Sequence, residues 1–143
     1  MLKGIDPLLG PDLLHALAAM GHGDEIAIVD ANFPAAAMAR RLIRVDGAGA
    51  PAVLAAVLSL LPLDTFTDAP AAVMAVVGDP AAVPPPVREF QSILEGVASG
   101  PVRVARLERN EFYERAGHAF AVVATGERRF YGNILVTKGV VAP

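Results

Sequence analysis

Apolar residues recur at helical spacing through PDLLHALAAM (Pro11 to Met20), with Pro11 where a first-turn proline is tolerated and Gly21 where helices commonly end. The period then changes. Ile26 to Val29 is an unbroken apolar run ending at Asp30, as in a strand buried on both faces, and Asn32, Phe33 and Pro34 turn the chain into a loop. Leu42 to Val45 reads as a second strand, Pro51 to Leu61 as a helix stopped by Pro62, and Ala72 to Val77 as another buried strand. Gly78 to Pro86 (GDPAAVPPP) is a loop, because three successive prolines can extend neither a sheet ladder nor a helix interior. Beyond it the pattern predicts a helix over Val87 to Val97, a strand over Val102 to Leu107 and a short helix over Asn110 to Gly117. Strands follow over Ala119 to Ala124 and Ile134 to Val136. Strands alternating with helices, without an internal repeat, imply an α/β fold: one mainly parallel sheet with helices on both faces and right-handed connections. The last two strands are also candidates for an antiparallel hairpin around Thr125 to Phe130.

Composition narrows the picture. At 143 residues the chain fits a single domain (1–143) that buries roughly two-thirds of its unfolded surface. The 54% hydrophobic content is carried largely by alanine and valine, which points to close packing of elements and is compatible with a subunit interface. The net charge is −3, and the 12 Lys and Arg are dispersed or paired with acids. That argues against a phosphate-tracking basic face, so nucleic acid is not an expected partner. The absence of cysteine excludes disulfides and thiolate metal sites. The longest uncharged stretch, Gly47 to Leu63, contains Pro51, Ser59 and Pro62 and is shorter than the ~20 apolar residues that cross a bilayer. Met1 to Leu9 lacks the apolar core and cleavage site of a secretory signal. A cytoplasmic protein with no membrane association is the expectation.

Ligands of open α/β sheets bind beyond the carboxyl ends of strands, where Asp30 lies. A loop aspartate capping the next turn is the alternative there. His22 sits in GHGD between a helix end and a strand, and its glycine neighbours leave a ligand room to approach the imidazole. An imidazole titrates near pH ~6.5, so it can exchange a proton at neutral pH without much tuning, although a solvated loop histidine fits the local sequence as well. His15 and His118 have no acid or second histidine at ligand spacing and read as structural or solvated. No HExxH, GxSxG, P-loop or dinucleotide fingerprint occurs, and neither a metal nor a cofactor is expected. Arg106 to Arg115 (RLERNEFYER) has the charge spacing of a solvated helix. Tyr131, Gly132 and Asn133 offer hydroxyl, backbone and amide groups suited to a polyhydroxy ligand, or simply a turn.

Taken together, MLKGIDPLL, GHGDEIAIVDANFP from Gly21, FYERAGHAFAVVATGER from Phe112 and YGNILVTKGV from Tyr131 resemble the RbsD/FucU family in order and spacing over nearly the whole chain. The resemblance implies a sugar mutarotase in which His22 is the catalytic proton donor and Asp30, Arg109, Tyr131, Gly132 and Asn133 contact the sugar. Arg109, where ribose-type members typically carry histidine, implies the L-fucose branch. A D-ribose pyranase and a noncatalytic sugar-binding accessory of a transporter are the alternatives. The resemblance further implies a ring-shaped homo-oligomer, commonly a decamer, with sugar sites between neighbours. His22 and Asp30 are eight positions apart, up to about 28 Å in an extended chain. Either GHGD bends back, or the site combines two subunits; the second is the expectation.

Overall fold

The computed structural model describes residues 1–143 and contains eleven elements. In chain order they are α1 (Pro11–Ala19), β1 (Glu25–Val29), α2 (Ala35–Met38), β2 (Leu42–Val45), α3 (Ala50–Leu58), β3 (Ala71–Met74), α4 (Pro85–Ala98), β4 (Val104–Leu107), α5 (Arg109–His118), β5 (Ala121–Thr125) and β6 (Ile134–Thr137). Prolines stand in the first turn of α1, α3 and α4, where the missing N–H costs nothing. Pro85 and Pro86 therefore open α4 instead of closing the preceding loop. The four-residue α2 follows Pro34, too short for any period to announce it.

The six strands form one sheet in the order β2-β5-β1-β6-β3-β4. Three of the five pairings are parallel (β1 with β5, β2 with β5, β3 with β4), and β6 runs antiparallel to both β1 and β3. The hairpin considered for the last two strands does not form, because β1 lies between β5 and β6. Every residue of β5 and all but the last of β6 are buried, and β1 is paired along both edges, parallel to β5 and antiparallel to β6, in the centre of the sheet.

Side chains alternate across the sheet and divide the core in two. Ile26, Ile28, Val73, Val123, Ile134 and Val136 face α1, α3 and α4. Ala27, Val29, Ala72, Met74, Val122 and Leu135 face α2 and α5. Small residues on the second face let α5 approach closely, and its Phe112 is fully buried there. Helices thus cover both faces, and emptying the Phe112 position to alanine would cost about 3–5 kcal/mol. The rigid sheet fixes what stands at each of its two ends.

Candidate active site

At one end of the sheet, four strand termini converge. The carboxyl ends of β1, β3 and β4 point the same way, and because β6 runs against them, its amino end joins them. This brings Asp30, Arg109, Tyr131 and Asn133 around a cavity of about 300 Å³, within the size range of small-molecule sites, with Asn32 and Phe33 also in its wall. Asp30 follows β1 directly and is buried. Its backbone N–H donates to Asn133 Oδ1 (2.8 Å), and Asn133 Nδ2 donates back to Asp30 Oδ2 (3.1 Å). The N–H of Asn32 donates to Asp30 Oδ1 at 3.0 Å, an Asx turn. The reciprocal pair leaves only one orientation for the Asn133 amide. Burial pushes the Asp30 carboxyl above its ordinary range, with the hydrogen bonds from Asn32 and Asn133 pulling the other way.

Tyr131 adopts a left-handed backbone (φ 61°), unusual for an aromatic residue, and its hydroxyl accepts the Val77 N–H at 3.0 Å. Gly132 is squeezed from below: a Cβ there would lie 2.6 Å from Glu127 Cγ and 3.4 Å from Asp30 Cβ. Arg109 is the first residue of α5. Its Nε donates to the Tyr113 hydroxyl (3.3 Å), its guanidinium lies 5.4 Å from that ring's centre, and Tyr113 is braced edge-on by Phe33. The floor under YGN is ionic. Buried Glu127 accepts from Arg129 Nε (2.9 Å) and Nη2 (3.0 Å), which holds its carboxyl down at about 2, and Arg129 also reaches Glu89 (2.7 Å). The Glu127 carbonyl takes the Ala31 N–H, tying this floor to the residue after Asp30.

His22 is not in this cavity. It precedes β1 at the opposite end of the sheet, and the five extended residues of β1 alone span roughly 16 Å. GHGD does not fold the imidazole back toward Asp30. Gly23 has φ +87°, a conformation that suits glycine, and its N–H donates to the Lys138 carbonyl just beyond β6. His22 Nε2 instead lies 3.0 Å from Oδ1 of Asp64. That carboxylate is buried and also accepts the N–H groups of Phe66 (3.3 Å) and Thr67 (3.2 Å). Burial pushes the Asp64 carboxyl up, but the hydrogen bonds from Phe66, His22 and Thr67 together outweigh it and leave it below the ordinary range. The Phe66 ring, 5.3 Å from the imidazole, is 74% exposed. At the far end of the sheet Phe130, beside the cavity, is 75% exposed. Each half of the sequence-derived residue set thus stands at its own end of the sheet, beside an exposed aromatic side chain.

A family model described as the RbsD / FucU transport protein family matches residues 3–141. The chain belongs to the RbsD/FucU family. Within it, a Homo sapiens relative named fucose mutarotase is 53% identical over 148 residues, covering 99% of this chain and 95% of the relative. An L-fucose mutarotase of Histophilus somni is 46% identical over 143 residues, with 98% and 97% covered. The crystal structure of the fucose mutarotase from Streptococcus pneumoniae in complex with L-fucose superposes with a TM-score of 0.91 at 43% identity, covering 99% of this chain and all of that one.

Asp64 and the Glu127–Arg129 floor of this RbsD/FucU chain are not marked out by the sequence as site residues. Asp64 carries a local signal, an aspartate followed by Thr-Phe-Thr that matches the Asx turn it makes, but nothing local links it to His22, 42 positions away. Glu127 and Arg129 lie in a segment read as a hairpin turn.

Proposed function

We propose that this chain is a fucose mutarotase, interconverting the anomers of L-fucose by acid–base opening and reclosure of the sugar ring. The observation that carries the reading is near-complete coverage at 46–53% identity by relatives bearing that name. The polar cavity of Asp30, Arg109, Tyr131 and Asn133 is the recognition half of the site. Asp30, held by Asn133 and Asn32, presents a fixed carboxylate as acceptor for sugar hydroxyls, and the exposed Arg109 presents donors. Gly132 stands outside the cavity wall, packed against Asp30 and Glu127, and lets Tyr131 and Asn133 take their places in it.

The reaction moves one proton off the anomeric hydroxyl and one onto the ring oxygen, breaking the C1–O5 bond; rotation about C1–C2 and the reverse transfers close the ring on the other carbonyl face. No net proton is consumed. His22 serves as the proton-transfer group, an effect worth typically about 10²- to 10⁴-fold. Because His22 and Asp30 stand at opposite ends of the sheet, the complete site joins His22 of one subunit to the cavity of a neighbour. The exposed Phe66 and Phe130 supply apolar surface at the two junctions. A cytoplasmic ring-shaped homo-oligomer, ten subunits as in the family resemblance, is the assembly this reading takes. No helix is long and apolar enough to cross a membrane.

The test is magnetisation-exchange NMR on L-fucose and D-ribose. The reading expects accelerated anomer exchange of fucose, abolished in His22→Ala with sugar binding retained. Acceleration of ribose interconversion with fucose left at its buffer rate would identify a D-ribose pyranase instead. Sugar binding with exchange left at its buffer rate would mark a noncatalytic accessory, the reading the word transport in the family's description favours, and an accelerated rate unaltered in His22→Ala would remove His22 from the mechanism.

A further inference from the structure

The loop carrying His22 and the loop carrying Asp64 are fastened to the same stretch of chain. Gly23 N–H donates to the Lys138 carbonyl (2.9 Å), Asp64 N–H to the Thr137 carbonyl (3.1 Å) and Gly139 N–H to the Pro62 carbonyl (2.7 Å). Leu63 pairs with Lys138 as an isolated bridge. Lys138 Nζ in turn donates to the carbonyls of Leu17 (2.9 Å) and Met20 (2.6 Å), closing the end of α1 from which the His22 loop departs. Gly139 passes so close that a Cβ would sit 2.7 Å from the Leu63 carbonyl oxygen. The Asp64 carboxylate is therefore fixed by its own backbone and by two N–H donors before the imidazole is considered. A buried carboxylate that already accepts two N–H groups offers His22 Nε2 only an acceptor.

We propose that Asp64 is a positioning residue for the mutarotase reaction: it holds His22 as the Nε2–H tautomer, so that Nδ1 is the nitrogen that exchanges protons with the sugar. The inference rests on the mutarotase reading above. Within its own chain Asp64 lies outside the lining of the Asp30 cavity and its side chain meets His22, so the effect assigned to it passes through the orientation and protonation pattern of the ring. Phe66, tilted at 59° against the imidazole, limits the ring from the exposed side. A histidine whose one nitrogen is committed to a carboxylate has the other directed outward, with its tautomer set.

The experiment is ¹⁵N NMR of histidine-labelled wild type and Asp64→Asn, paired with fucose exchange kinetics on the same samples. The wild-type ring is expected to carry its proton on Nε2. In Asp64→Asn a single amide oxygen replaces Oδ1, which His22 and Phe66 share, and Oδ2, which Thr67 uses, so the hold on the Nε2–H tautomer is weakened and a share of the rings is expected to carry the proton on Nδ1. Exchange at saturating fucose should then fall roughly 10- to 100-fold, less than loss of the imidazole itself, with the half-saturating fucose concentration unchanged. A wild-type ring protonated on Nδ1 overturns the assignment, and needs no variant to fold. A tautomer shift with an undiminished rate, or a rise in half-saturation without a fall in rate, also overturns it. A wild type with the expected tautomer but no fucose exchange would overturn the mutarotase reading, and the catalytic role with it.

Discussion

Adding one methyl group at Gly132 is the most informative perturbation of the recognition end. The new Cβ would meet Glu127 Cγ at 2.6 Å, about 1 Å inside ordinary carbon–carbon contact. Glu127 cannot yield easily: both carboxylate oxygens are bound by Arg129, which also donates its backbone N–H (3.0 Å) and is itself held by Glu89. The Arg129 carbonyl and Asp30 Cβ stand at 3.4 Å on the other sides. The displacement therefore falls on Tyr131 and Asn133. Overpacking of this kind costs typically about 1–3 kcal/mol. With an unfolding entropy of ~2.1 cal/mol/K per residue, a chain of this length should lose about 3–10 °C in Tm. A shift of about 1 Å in the Asp30–Asn133 pair should also slow fucose exchange by up to ~10²-fold. Thermal unfolding and exchange NMR of Gly132→Ala check both. Gly96 lies inside α4 with nothing within 4 Å of its Cβ position, so Gly96→Ala serves as an opposite control, gaining about 0.5–1 kcal/mol. A Gly132→Ala protein melting within about 1 °C of wild type and exchanging fucose at full rate would refute the close-approach argument.

Three further outcomes follow from the same geometry. Glu127 titrates at about 2 in the fold against an ordinary 4.5, so its stabilisation is complete above pH 4.5 and is lost as pH falls from there toward 2. With the half-exposed Arg129 screening the pair, urea unfolding between pH 6 and 3 should cost wild type about 1–2 kcal/mol more than Glu127→Gln. Tyr131→Phe removes the acceptor of the Val77 N–H and should lower stability by about 0.5–1.5 kcal/mol in chemical denaturation, together with a loss of fucose affinity in titration. Co-assembling inactive His22→Ala with inactive Asp30→Ala subunits should restore activity at about a quarter of sites, because a shared site can draw its intact half from each chain. Continued inactivity of the mixed oligomers would place both residues' roles within one chain.

Much of this organisation was legible in residue order. The proline-started helix before Gly21 and the apolar run ending at Asp30 gave α1 and β1 nearly to the residue. The antiparallel sense of β6 was one of two readings, but its place was not legible, because an apolar run buried on both faces does not say which strand will lie beside it. That strand decides the site, since its reversal brings Asn133 to Asp30. Individually, Arg109 and Tyr131 were ambiguous as a helix-surface residue and a turn residue; only the pattern of the whole chain drew attention to them. Asp64 escaped because a hydrogen bond over 42 positions leaves no trace in local spacing.

β6 holds YGN before its first residue and Lys138, the anchor of the His22 and Asp64 loops, after its last. Within one chain, a ladder of paired strands separates the residues proposed to bind the sugar from the histidine proposed to move its protons. A substitution in the cavity wall therefore leaves the His22–Asp64 pair of its own chain in place. Such a scaffold can drift from one monosaccharide to another without passing through a chemically dead ancestor. On the proposed assignment, an engineer would vary Phe33, Tyr113 and Phe130 in the cavity wall to change the sugar and leave the far end of the sheet alone.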